Sequence, residues 1–280
     1  MTASKQKTVL VTGCSSGFGY LIALTFISNG WNVYGTVRDV ARENAQKLLK
    51  KGVKILKMDL SKPETIVAAI SQINTGTLDV LVNNAGVGFL EPVEDFSEQD
   101  IHYQFEVNFF GVHRIIKEIL PMMRKQGHGR IINISSLAAI STTALYGIYS
   151  ATKSALEAMS EALNLEVSRW NISVSLVEPG SFATNFGMNA KLPDSAIKDS
   201  SYAKLIAYNA KVRSNLDQKR SSLDVFRNPQ RVANLVYKIA CANKPKFRYK
   251  IGIDAFFTSL AVKLVPYQLR LAILKWVYRW

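Results

Sequence analysis

Short apolar runs alternate with helix-length segments along most of this chain. Thr8 to Thr12 (TVLVT) is an apolar run ending in a turn, and Tyr20 to Asn29 follows with helical character, closed by Gly30. Asn32 to Val37 is strand-like, Ala41 to Lys51 helical up to Gly52, Val53 to Leu60 a third strand and Pro63 to Asn74 a helix. Leu78 to Val82 is a fourth strand, and Glu98 to Gln126 a long helix ended by Gly127. Arg130 to Ile134, Ile172 to Val177 and Arg248 to Ile253 complete the strands, with helices over Tyr149 to Trp170 and Pro229 to Ala242. Strands that alternate with helices imply βαβ units and a parallel sheet. Strands that are apolar throughout belong to a sheet covered on both faces. The expectation is one α/β domain over residues 1–280. Ser181 to Asn228 breaks the rhythm: it is polar and lacks clear periodicity at its start. Long irregular segments in compact domains are often lids or binding loops, so 181–228 is read as the substrate-covering segment.

Composition sharpens this picture. Hydrophobic residues make up 48% and charged residues 20% of the 280, enough for a large core and against global disorder. The two cysteines, Cys14 and Cys241, make no disulfide framework, and the first residues carry no apolar signal region. The expectation is a reduced, cytoplasmic protein. No run reaches the ~18 uninterrupted apolar residues of a membrane span. The net charge is +14, and half of it sits in the last 37 residues, with eight basic residues and Asp254 as their one acid. No nucleic-acid-binding motif accompanies that charge, so nucleic acid is not an expected partner.

The first strand runs into Thr12-Gly13-Cys14-Ser15-Ser16-Gly17-Phe18-Gly19. Glycine supplies positive φ for a tight strand-to-helix turn, and bare backbone lets a pyrophosphate approach the helix N-terminus. A G-x-x-x-G-x-G turn between strand and helix therefore points to a dinucleotide, through Gly13, Ser15, Ser16, Gly17, Phe18 and Gly19. The second strand ends at Val37, where a carboxylate would hold the ribose 2′-hydroxyl of NAD. Arg38 follows, and a guanidinium can pair with a 2′-phosphate. This favours NADP(H) over NAD(H), while Asp39 stands one residue from the alternative. Tyr149 and Lys153 lie one helical turn apart, on one face. A free tyrosine, pKa about 10, is a poor base at neutral pH, and an adjacent ammonium lowers that value.

In order, the TGCSSGFG turn, Asp59, Asn83-Asn84-Ala85-Gly86, Asn108, Ser136, Tyr149-Ser-Ala-Thr-Lys153 and Pro179-Gly180 resemble the motifs of the short-chain dehydrogenase/reductase family, over roughly residues 7 to 185. The TGCSSGFG and VYGTVRD stretches are similar to those of its hydroxysteroid and retinol dehydrogenases. The resemblance implies a Rossmann-type, doubly wound parallel sheet of seven strands, a nicotinamide cofactor and a homodimer or homotetramer. It implies Tyr149 as catalytic acid/base, Ser136 holding the substrate oxygen, Lys153 on the ribose lowering the tyrosine pKa, and Asn108 in a proton relay. Ser136 is favoured over its neighbour Ser135 for its spacing of thirteen residues from Tyr149, and Asn108 also reads as a buried structural amide. Further cofactor positions are Asp59, toward adenine or as a helix cap, with Leu60, Asn84, Ala85, Gly86, Pro179, Gly180, Phe182 and Thr184. His102, His113 and His128 show no ligand spacing, so no metal is expected.

On the substrate side, Phe89, Tyr146 and Phe186 join Ser136 around an apolar pocket, which suits a lipophilic alcohol, ketone or aldehyde of steroid, retinoid or long-chain type. The apolar tail over 254–280 carries Lys263, Arg270, Lys275 and Arg279 and is interrupted by Pro266. It reads either as helix packed on its own domain or a partner subunit, or as a basic amphipathic segment in peripheral contact with a membrane. Two readings compete with an NADP(H)-dependent oxidoreductase: a catalytically silent cofactor-binding sensor or scaffold, and a peripheral membrane protein.

Overall fold

The computed structural model describes residues 6–184, 201–218 and 227–278. Seven strands form one parallel sheet: β1 (Thr8–Val11), β2 (Asn32–Val37), β3 (Lys54–Lys57), β4 (Val80–Asn83), β5 (Gly129–Ile134), β6 (Ile172–Pro179) and β7 (Arg248–Ile251), in the order β3-β2-β1-β4-β5-β6-β7. The helices are α1 (Gly17–Ser28), α2 (Glu43–Lys50), α3 (Pro63–Ile70), α4 (Glu98–Phe105), α5 (Gly111–Gln126), α6 (Gly147–Val167), α7 (Ala203–Gln218), α8 (Gln230–Cys241), α9 (Ile253–Leu264) and α10 (Tyr267–Val277).

Strand side chains alternate between two cores, as the period of two demands. Val9, Val11, Val33, Val80, Val82 and Ile132 face α1, α2 and α8, with Ile22, Phe26, Leu48, Val232 and Val236 opposite. Leu10, Tyr34, Leu81, Ile131 and Val174 face α3, α5 and α6. The sheet is thus doubly wound. Its direction reverses between β1 and β4, and in such sheets ligands bind outside the strand C-termini at that switch point. The glycine turn after β1 and the Asn84–Gly86 turn after β4 both sit there.

The expected helix over Glu98 to Gln126 is present from end to end, but it passes through a π-helical turn, Glu106–Phe110, between α4 and α5. Within that turn the Asn108 side chain bonds the main chain of Val87. Within the segment read as irregular, 203–218 is helical.

Candidate active site

The cradle is built by close approach. Gly13 has φ +73°, and a Cβ there would lie 2.8 Å from Ala85 Cα. A Cβ on Gly19 would lie 2.3 Å from the Gly13 carbonyl oxygen and 2.5 Å from Asn84 Nδ2. The Thr12 hydroxyl accepts the main-chain N–H groups of Asn84 and Ala85, each at 3.0 Å, and Asn84 Nδ2 donates to the Thr12 carbonyl at 2.8 Å. The two loops at the switch point are stapled together. Ser16 precedes α1 without a side-chain cap, and no acid lies in its first turn. That helix start keeps its positive end for an anion, which fits a pyrophosphate.

Arg38 leaves the end of β2 exposed, its guanidinium 3.3 Å from the Tyr103 hydroxyl. The Asp39 carboxylate turns onto its own loop and accepts from Ala41 N–H at 3.0 Å. Asp59 holds the turn that follows it: its Oδ1 accepts from the Ser61 N–H and hydroxyl at 3.0 and 2.8 Å. The Leu60 side chain is buried in the α3/α5 core, so only its backbone is left for a cofactor.

The opposite wall follows β6. Phe182 packs edge-on against Phe18, ring centroids 5.7 Å apart, and Thr184 reaches within 3.7 Å of where a Gly17 Cβ would stand. Pro179 and Gly180 are held from behind by Asp254. Its Oδ2 accepts the Ser181 N–H at 2.6 Å, and a Cβ on Gly180 would lie 2.0 Å from its Oδ1. Asp254 was not marked by the sequence motifs; as a lone acid in a basic apolar tail it was the available signal.

β5 and α6 bring the reactive groups together. Tyr149 and Lys153 are both buried, 6% and 5% exposed, with the Lys153 ammonium 5.9 Å from the Tyr149 ring centre. Lys153 Nζ donates to the Ile134 carbonyl at 2.9 Å. The Ser136 hydroxyl lies close enough to the Tyr149 phenol to pull its pKa down. The neighbouring Ser135 hydroxyl instead donates to Glu157 at 2.7 Å, deep in the protein. Asn108 and Lys153 flank Gly86: a Cβ there would lie 3.2 Å from Asn108 Oδ1 and 3.6 Å from Lys153 Nζ. The Asn108 amide accepts from Val87 N–H at 2.9 Å and donates to the Val87 carbonyl and the Thr152 hydroxyl, at 2.9 and 3.1 Å.

Electrostatics run against the simplest expectation for Tyr149. Burial pushes its phenol up to about 12, and the Ser136 hydrogen bond opposes this only in part. Burial also pushes Lys153 down to about 8, with Glu157 pulling the other way. Desolvation thus dominates at Tyr149, against the lowering expected from a nearby ammonium. Behind α6, Arg248 bridges Glu157 and the fully buried Glu178, and Ser135 completes the network.

Tyr146 meets Tyr149 edge-on at 6.4 Å and joins a cluster of Leu90, Leu145, Leu205 and Ile206. Leu145 itself has φ +68°, a left-handed conformation rare for leucine. A cavity of about 400 Å³ opens beside it, lined by Pro92, Val93, Glu94, Ala144, Leu145, Tyr202 and Leu205. Phe89 lies deeper, stacked on Tyr103 at 6.1 Å, and Phe186 falls outside the described residues. Among the described residues, no three His, Cys, Asp or Glu side chains gather as a metal would need.

The short chain dehydrogenase family profile matches residues 7–194. A 3-ketodihydrosphingosine reductase of Bacteroides thetaiotaomicron is 37% identical over 250 residues, 89% of this chain and 88% of that protein. Retinol dehydrogenase 8 of Bos taurus is 30% identical over 261 residues, 88% of this chain and 81% of that protein. Among solved structures, an actinorhodin polyketide ketoreductase determined with NADPH matches with a TM-score of 0.75 at 26% identity, covering 91% of this chain and 99% of that one.

Proposed function

The chain belongs to the short-chain dehydrogenase family, and from that premise we propose that it is an NADP(H)-dependent oxidoreductase acting on a lipophilic alcohol, ketone or aldehyde of steroid, retinoid or long-chain type. The observation that carries the reading is the convergence of Tyr149, Ser136 and Lys153 beside a glycine cradle that any Cβ at Gly19 would fill. Arg38 supports NADP(H) over NAD(H), since its guanidinium is exposed at the end of β2 while Asp39 is engaged in its own turn. Gly13, Ser15, Ser16, Gly17 and Phe18 would hold the phosphates; Asn84, Ala85, Gly86, Tyr149 and Lys153 the nicotinamide ribose; Pro179, Gly180, Phe182 and Thr184 the carboxamide side.

When bound, the reduced nicotinamide supplies a hydride. The protein's own work is at the substrate oxygen. Ser136 and Tyr149, near enough for the serine hydroxyl to lower the phenol pKa, would converge on the place that oxygen would occupy. Burial keeps the Tyr149 phenol protonated at neutral pH, so it is loaded to donate as negative charge develops. The Lys153 ammonium, fixed on the Ile134 carbonyl, favours the phenolate that remains. Asn108 commits both amide hydrogens to Val87 and Thr152. It would therefore join a proton relay as an acceptor, through its main-chain carbonyl or the remaining Oδ1 lone pair. Oxidation runs the same transfers in reverse.

The lipophilic substrate class rests on the apolar lining around Tyr146 and Leu145 and on the names of the reductase and retinol dehydrogenase relatives. We assign the homodimer or homotetramer on the family resemblance. The test is NADPH and NADH oxidation by the purified chain against a sphingoid ketone, retinal, a ketosteroid and acetone. Turnover of a lipophilic carbonyl with NADPH, and little with acetone, is expected. Turnover of acetone alone would overturn the substrate class, and a preference for NADH would overturn the role of Arg38.

A further inference from the structure

The last two helices are inside out. α9 turns its small side chains inward: Ala255 and Ser259 are buried, and Lys250 donates to the Ser259 hydroxyl. Its large side chains face outward at helical spacing, Ile253, Phe256, Phe257, Leu260 and Leu264. α10 buries no residue fully and exposes Leu269, Ile273, Trp276 and Val277 along one stripe. Among the described residues sixteen large apolar side chains are exposed, and ten of them lie within 253–277. Phe257 is 61% exposed, Leu264 72% and Trp276 66%. Scattered exposed apolar residues are ordinary, but a contiguous set marks an interaction surface.

Charge identifies what covers it. Over 253–278 the bases are Lys263, Arg270 and Lys275, and the one acid, Asp254, is engaged by Ser181. A two-fold contact with a second copy would set each basic stripe against its own kind. An anionic lipid surface complements it. Apolar side chains would enter the acyl boundary, Lys263 and Lys275 would reach back to the headgroups, and Tyr267 and Trp276 suit the interface. No helix among the described residues is long and apolar enough to cross a membrane, which leaves lying on one.

We propose that α9 and α10 form a docking surface for an anionic lipid membrane, beside the substrate opening. The link to the opening is direct. Tyr278, just past α10, packs on the cluster of Leu90, Leu145, Leu205 and Ile206 and meets the Tyr208 ring at 6.0 Å. Tyr146 of the same cluster touches Tyr149. A docked protein would take a lipophilic substrate from the bilayer toward Tyr149 without a passage through water; this part rests on the oxidoreductase reading, whereas the docking does not.

The test is sedimentation of the full chain with vesicles of phosphatidylcholine alone or with about 30% phosphatidylglycerol, an anionic lipid. Binding to the anionic vesicles, weakened by salt, is expected. The double variant Phe257→Ser, Trp276→Ser and the charge reversal Lys263→Glu, Lys275→Glu should each lower it roughly tenfold or more. Both should reduce a water-soluble ketone as the wild type does, since these side chains lie in neither site. Failure to bind either vesicle overturns the proposal. So does a dimer by light scattering that Phe257→Ser, Trp276→Ser converts to monomer, which gives the surface to a second copy. Vesicle binding without turnover by any form would sustain the docking and sink the oxidoreductase reading instead.

Discussion

Lys153 pays for its buried position. Burial holds its pKa at about 8 against an ordinary 10.5, so between those values the unfolded chain binds more protons than the folded one. Its charge opposes folding below about 8, and that opposition fades as pH rises through the window. Lys153→Met should therefore unfold at higher urea than the wild type at pH 7, with the gap closing toward pH ~10; a gap constant with pH would mean that Lys153 is not desolvated. Glycine is equally constrained. Gly19→Ala places a Cβ on the Gly13 carbonyl, and overpacking of this kind costs about 1–3 kcal/mol. Its thermal midpoint should fall, and its NADPH binding should be lost by fluorescence titration. The order of the motif residues in sequence was enough to nominate Tyr149, Lys153 and Ser136. Spacing from Tyr149 favoured Ser136 over Ser135, but the bond that turns the Ser135 hydroxyl inward was not legible, because Glu157 lies twenty-two residues away on α6.

Elements carry the same lesson at longer range. The strands and most helices announce themselves by periodicity, but the π-helical turn at Glu106–Phe110 does not; it carries a tertiary bond between Asn108 and Val87 that periodicity cannot show. Asp254 escaped the sequence reading for a similar reason, since its partners at Gly180 and Ser181 lie more than seventy residues away. Arg248 shows what such partners are worth. It joins β7 to α6 and β6 through Glu157 and Glu178. Arg248→Met would strand two carboxylates, and breaking a buried pair costs about 3–5 kcal/mol, less what solvent screens at a guanidinium whose side chain is 37% exposed. Urea unfolding should show that loss, and adding Glu157→Gln with Glu178→Gln should recover much of it. A triple variant no more stable than Arg248→Met would remove the network from the account.

At the scale of the molecule, sheet direction, cradle and reactive side chains meet at one end of the sheet; the βαβ rhythm implied the parallel sheet, and the glycine turn and family motifs nominated the residues. The tail was legible as basic and apolar, but which face it turns outward required the packed body beneath it. Cofactor choice is also a whole-molecule property, because a ligand that binds only the folded state raises its stability, by about 2.7 kcal/mol at a hundredfold excess over Kd. NADPH should raise the thermal midpoint more than NADH at equal concentration, and Arg38→Ala should erase the difference; an unchanged preference would assign the 2′-phosphate to other residues. The most direct test of the central claim compares wild type with Tyr149→Phe in single-turnover reduction of a lipophilic ketone by NADPH. We expect NADPH binding weakened by no more than the one ribose contact that Tyr149 would make, and near-complete loss of hydride transfer, because the proton donor is gone. Transfer at an undiminished rate in the variant would contradict it.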